Sequence, residues 1–172
     1  MLTAGADANT VWPEGGESLL GSFARAGNCD MITLLVQHGA IVDYASPKSG
    51  RTPLLIAVEE NKADAAKTLI SCGASQWRED SEGKNAIVYA ARHGSTELLA
   101  CMLERCEDGS DGQGSQRATS IESAFSAAVK SGNVEICRYI LDCTQHTIDI
   151  SSAMCSACTN GHTDLVQFLL SR

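Results

Sequence analysis

One pattern, a helix start followed by a chain reversal and a second helix start, recurs five times along the chain and leaves little freedom in what it can fold into. It is clearest in residues 50–74, GRTPLLIAVEENKADAAKTLISCGA. Thr52 is a good N-cap, because its hydroxyl can accept from the orphan N–H groups of a first turn, and Pro53 loses nothing at the first helical position. The helix so begun carries Leu54, Leu55, Ala57 and Val58 and is expected to stop at Asn61, a residue that tolerates the left-handed conformation. A second helix follows at once. Asp64 in its first turn faces the positive end of the helix dipole, and Ala65, Ala66, Leu69 and Ile70 form an apolar stripe closed by Gly73. The result is two short antiparallel helices.

The same register fits elsewhere. Ser18, Thr52, Asn85, Ser123 and Ser152 occupy the cap position, and Gly27, Asn61, Gly94, Gly132 and Gly161 the reversal nine residues later. Three residues beyond each reversal stands an acid: Asp30, Asp64, Glu97, Glu135 and Asp164. Successive reversals are 34, 33, 38 and 29 residues apart. That spacing, with Thr52-Pro53-Leu54-Leu55 and Ala57 close to the T-P-L-H-x-A signature, resembles the ankyrin-repeat family. Gly5-Ala6-Asp7, Gly39-Ala40 and Gly73-Ala74 at unit ends, and Ala90-Ala91 before Gly94, extend the resemblance over nearly the whole chain. It implies an all-α ankyrin-repeat solenoid of about five stacked helix-turn-helix units with finger-like connecting turns. These would form a single domain over 1–172, with units at about 1–10 (partial), 11–44, 45–78, 79–115, 116–147 and 148–172 (truncated). The chain departs from the family pattern in places: only the second unit has Thr-Pro-Leu, no unit has the His, and Cys106 and Thr144 replace the closing Gly.

Composition agrees with such a stack. Aromatics are only 5% of 172 residues and apolar residues 44%, which suits a core of Ala, Leu, Ile, Val and Cys between closely packed helices rather than a sheet. A formal net charge of −8 and the lack of any basic run argue against a nonspecific grip on nucleic acid or an anionic membrane. No apolar stretch of about 18 residues and no signal-peptide pattern is present, so the sequence predicts no membrane insertion and a cytoplasmic protein, with the nucleus as the alternative.

Chemistry is absent from the motifs. There is no P-loop, G-x-G-x-x-G, H-E-x-x-H or G-x-S-x-G, and His38, His93, His146 and His162 belong to different units without a neighbouring nucleophile. No enzyme, cofactor or metal is expected. Of eight cysteines, Cys29, Cys101, Cys137, Cys155 and Cys158 fall where small residues pack, while Cys72 and Cys143 end second helices and are expected to be more exposed. Cys155 and Cys158 also form a C-x-x-C, a weak zinc or redox signal without a second pair. Asp108, Asp111 and Gly112 faintly suggest a calcium loop, but Thr119 stands where the closing Glu should be.

Taken in order, residues 2–9 read as the tail of a unit, and Val11 to Gly16 as a first finger whose Trp12 is expected to pack on the next one. Residues 75–84 make a third, more decorated finger with Trp77 and Arg78, residue types enriched at binding hot spots. EDGSDGQGS at 107–115 predicts a flexible loop, and 144–151 is too short for a full finger. Stripes at Met31, Ile32, Leu34 and Leu35, at Leu98, Leu99, Met102 and Leu103, and at Phe125, Ile136, Tyr139, Ile140 and Leu141 are expected inside. Leu165, Val166, Phe168, Leu169 and Leu170 are expected to face a further neighbour, which suggests a piece of a longer array.

The resemblance also implies a function. In that family the fingers and first helices line a concave groove that binds other proteins, with variable residues just before the cap and just before the reversal. Those places fall on Glu17, Arg51, Lys84 and Glu122 before caps, and on Arg25, Glu59, Glu60, Arg92, His93, Lys130 and Ser131 before reversals. With Trp77 and Arg78 they form the expected partner-binding set of a non-catalytic protein-protein interaction module. The alternative is a regulatory or spacer segment of a larger multidomain enzyme, receptor or channel, in contact with further repeats or domains of its own chain.

Overall fold

The computed structural model describes residues 7–13, 15–104, 114–143 and 148–172. Among them are ten helices in five consecutive pairs: α1 (Leu19–Ala26) with α2 (Cys29–Gln37), α3 (Pro53–Glu59) with α4 (Ala63–Ser71), α5 (Ala86–His93) with α6 (Thr96–Glu104), α7 (Gly114–Ser131) with α8 (Val134–Cys143), and α9 (Ile150–Thr159) with α10 (Thr163–Leu170). The class is all-α. The described residues form no strand, only an isolated bridge between Val11 and Ser18.

Every expected reversal is made. Asn61 has φ of 54°, and Gly27, Gly94, Gly132 and Gly161 have φ of 74°, 79°, 72° and 74°. Each of the five acids lies in the first turn of the helix that follows. Ser18 Oγ accepts from the Gly21 amide at 3.1 Å and Thr52 Oγ1 from that of Leu55 at 3.3 Å, so these two caps stand as expected. Two others do not. Ser123 lies inside α7, which begins at Gly114, because nothing between residues 115 and 122 breaks a helix. Ser152 lies inside α9, whose cap is Asp149: its carboxylate accepts from the amides of Ser151 (3.0 Å) and Ser152 (3.4 Å). The expected loop at 107–115 and the expected short connection at 144–151 lie outside the described residues over 107–113 and 144–147.

The chain divides into two compact units, Met1–Ala86 and Ile87–Arg172. In the first, α1 packs on α3 and α2 on α4. Pro53 to Val58 of α3 is buried throughout, which a helix of seven residues needs if it is to hold at all. In the second unit, α7 packs on α9, and α8 touches both α6 and α10. The expected stripes are narrower than read: Ile32, Leu35, Leu98, Leu99, Met102, Phe125, Ile136 and Ile140 are buried, while Met31, Leu34, Leu103, Tyr139 and Leu141 are half-buried. Leu165 and Leu169 are likewise buried within their own unit, so they do not wait for a neighbour. Leu170 does stand out, 69% exposed.

Three fingers in the first unit close alike. Trp12 N donates to Glu17 O, Ser46 N to Arg51 O and Asp80 N to Lys84 O, at 2.9, 3.0 and 2.9 Å. They also dock on one another, with Ser46 Oγ donating to Gly15 O (3.1 Å) and Ser81 N to Ser49 O (3.0 Å). Gly50 sits at this docking point with φ of 67°, and a Cβ there would lie 2.8 Å from the Ser81 nitrogen. Gly73 has φ of 93° but open space around it. Gly73→Ala should therefore cost only the left-handed penalty, about 1–2 kcal/mol, and Gly50→Ala distinctly more. Urea denaturation of the two variants checks this, and equal losses would contradict the docking.

Candidate partner-binding surface

The residues just before each reversal lie at the ends of α1, α3, α5 and α7, and Glu17, Arg51 and Lys84 lie just ahead of α1, α3 and α5, whereas Glu122 falls inside α7. In the first unit the fold brings several together. Arg25, at the end of α1, pairs with Glu17 ahead of the same helix at 2.9 Å and with Glu60, the C-cap residue of α3. The Glu17 hydrogen bond and the nearby Glu60 charge raise the guanidinium's pKa against the opposing effect of desolvation. Arg51 and Glu59 repeat the intrahairpin pair at 2.7 Å, with the signs reversed. Lys84 pairs instead with Glu82 at 2.5 Å within its own finger.

The two tryptophans exchange the roles expected of them. Trp77 is 7% exposed and offers a partner little area, whereas Trp12, expected to pack, is 55% exposed. Register explains the first. Asn9, Asp43 and Trp77 are equivalent positions, and the first two staple consecutive units: Asn9 Oδ1 accepts from Ile41 N at 2.8 Å, and Asp43 Oδ1 from Ser75 N at 3.1 Å. The third position thus points inward, and there an indole is buried. Its neighbour Arg78 is exposed.

In the second unit Arg92, His93, Glu122, Lys130 and Ser131 are all exposed. Ser131 Oγ is engaged with Ala128 O at 3.0 Å. His162 Nε2 lies 3.0 Å from Lys130 O and therefore donates there, with its ring over Gly132, a structural role that ties α10 to the end of α7.

The cysteines sort differently from their expected packing. Cys137 is buried, Cys29, Cys72 and Cys101 are half-buried, and Cys143, Cys155 and Cys158 are exposed. Cys155 and Cys158 do lie on α9, but both are exposed rather than packed. No group of three or more His, Cys, Asp or Glu among the described residues is arranged to hold a metal ion. No described helix is long and apolar enough to cross a membrane.

Two measurements check this surface. Arg25 is 44% exposed, so Arg25→Met should cost under about 1 kcal/mol, and less still in high salt. A larger, salt-insensitive loss would contradict a solvated pair. Burial pushes the Cys137 thiol up to about 12 from an ordinary 9.0. The unfolded chain then releases this proton first, so its contribution is whole below pH 9 and is lost as pH rises toward 12. Across that range the native chain should lose stability more steeply than Cys137→Ala, and parallel curves would refute the assignment.

Comparison with known proteins gives the same pattern a family. A family model described as ankyrin repeats in three copies matches residues 1–80. Ankyrin repeat and KH domain-containing protein mask-1 of Caenorhabditis elegans is 32% identical over 104 residues, 60% of this chain and 4% of that protein. ARF GTPase-activating protein GIT2 of Mus musculus is 33% identical over 85 residues, 49% of this chain and 12% of that protein. NF-kappa-B inhibitor cactus of Drosophila melanogaster is 44% identical over 55 residues, 32% of this chain and 11% of that protein. The chain thus spans a small fraction of each of these relatives. Ankyrin repeats are protein-interaction modules, generally without catalysis of their own; the family model places them over residues 1–80 of this chain, and the repeated helix pairs and these relatives agree with it.

Proposed function

We propose that this chain is a non-catalytic module that binds a partner protein through the groove lined by its fingers and first helices, within the cytoplasm or nucleus. The observation that carries the reading is that each unit, taken by itself, carries exposed or half-exposed charged residues: Glu17, Arg25, Arg51, Glu59 and Glu60 beside the ends of α1 and α3 in the first, and Arg92 and Lys130 near helix ends with Glu122 along α7 in the second. Charges so placed set specificity and encounter rate when a complementary surface approaches. Trp12 adds a large exposed ring beside the first finger, and aromatic anchors of this kind dominate binding energy. The name of the relative cactus, an inhibitor of NF-kappa-B, fits a binding role.

A second reading is favoured by one observation. The relatives carry their matching regions within far longer chains, which suits a regulatory or spacer segment whose partner is another domain of the same polypeptide. Both readings use the same face, and they differ in where the partner is encoded.

Photo-crosslinking residues placed at positions 12, 60 and 92, with Thr33 on a second helix as the control, separate the readings. The expected outcome is crosslinks to a distinct protein from the three groove positions and none from position 33. Crosslinks within one polypeptide would favour the segment reading. Equal yields at all four positions would remove the groove from both.

A further inference from the structure

Most of the charge at the helix ends of the first unit is already neutralised. Glu17 is held by Arg25, Arg51 by Glu59 and Lys84 by Glu82. Glu122, the equivalent residue of the second unit, is exposed and has no charged partner among the described residues. It stands at the rim of a groove of about 290 Å³ between α7 and α9. The floor is apolar and is made by Phe125, Val129 and Ala153, all largely buried. A second carboxylate, Asp149, shares the rim, and the amides it caps leave its negative charge in place. On α7 the residues Glu122, Ser126 and Lys130 follow one another at helical spacing along one exposed stripe, so the groove is acidic at one end and basic beyond the other.

From this we infer that the α7–α9 groove docks an extended segment of a partner protein in which a Lys or Arg stands beside an aliphatic side chain. The aliphatic group enters over Phe125, Val129 and Ala153, and the cation meets Glu122 and Asp149. Two carboxylates lining one small groove are offset by a nearby cation, and the aliphatic side chain itself leaves water where it covers the groove. The volume lies at the lower end for ligand pockets and suits one or two side chains rather than a cofactor. A net charge of −8 draws a basic segment toward the chain and repels an acidic one. This rests on the interaction-module reading and adds the chemistry of the partner.

The test is an amide NMR titration of the whole 172-residue chain with three capped tetrapeptides: Gly-Leu-Arg-Gly, Gly-Leu-Glu-Gly and Gly-Gly-Arg-Gly. The Leu-Arg peptide should shift the amides of Phe125, Ser126, Ser152 and Ala153, with at least tenfold weaker binding for the other two, and added salt should weaken it. Glu122→Gln, an exposed change within a helix, should reduce the affinity several-fold while leaving the spectrum folded. Shifts mapping elsewhere, no shifts up to the solubility limit, or equal response to the Leu-Glu peptide would overturn the inference. If that happens while positions 12 and 60 still crosslink a partner, the module reading stands and only this groove is lost.

Discussion

A helix pair of this size cannot bury its own apolar side, and within each unit the structure rests on one pair lending that cover to its neighbour. In the first unit α3 shows the consequence most plainly, since six consecutive residues from Pro53 to Val58 are buried in a helix of seven. No amphipathic stripe is left on it, because neighbouring elements enclose it all round. In isolation a helix this short would be marginal in water, and its stability comes from packing on α1 and α4. Small side chains make the close approach feasible, as at Ala24, Ala57 and Ala66, each with no measurable exposure. The same logic governs α7 and α9 in the second unit, where Ala124, Ala128 and Ala157 have none either.

Stacking of this kind fixes the spacing of the pairs, but the register between consecutive loops is set by polar groups. Asn9 and Asp43 each reach one repeat forward to a backbone amide, and a few residues on Ser46 Oγ donates back to the Gly15 carbonyl and Ser81 N to the Ser49 carbonyl. A backbone amide left unpaired in a partly buried loop costs about 1–3 kcal/mol, so these side chains hold the loops in one alignment. Trp77 occupies the third such position and brings bulk instead of an acceptor. The exposed indole belongs instead to Trp12, whose backbone closes the first finger.

What could be read in the chain alone was whatever depends on backbone geometry. The five reversals need a residue that accepts positive φ, and only Gly or Asn at those places satisfies the requirement, so all five are found where the sequence puts them. The acids three residues on follow from the helix dipole and hold equally well. Caps were less legible. Ser123 and Ser152 have the right chemistry, but a cap works only where a helix begins, and helix-permissive residues upstream of Ser123 and an aspartate at 149 moved both starts. Side-chain direction was the least legible of all. Cys155 and Cys158 on α9, and the two tryptophans, have similar local patterns to buried residues, and only the packing of the neighbouring element decides which of them meets water.

The residues that make the fold and those proposed to meet a partner are therefore largely separate sets. Caps, reversals and the small buried residues are tied to geometry, whereas the position just before each expected cap is Glu17, Arg51, Lys84 and Glu122 in turn, acidic in the first and last and basic in the middle two. Such freedom is expected where the side chain is solvated, because an exposed ion pair contributes under about 1 kcal/mol either way. Surface charge can then vary from unit to unit at almost no cost in stability, and the fold does not dictate what is bound. In the first unit that freedom has gone into pairs between the chain's own residues. Glu122 in the second has not been matched in that way, which leaves its carboxylate beside an apolar floor with its charge unspent.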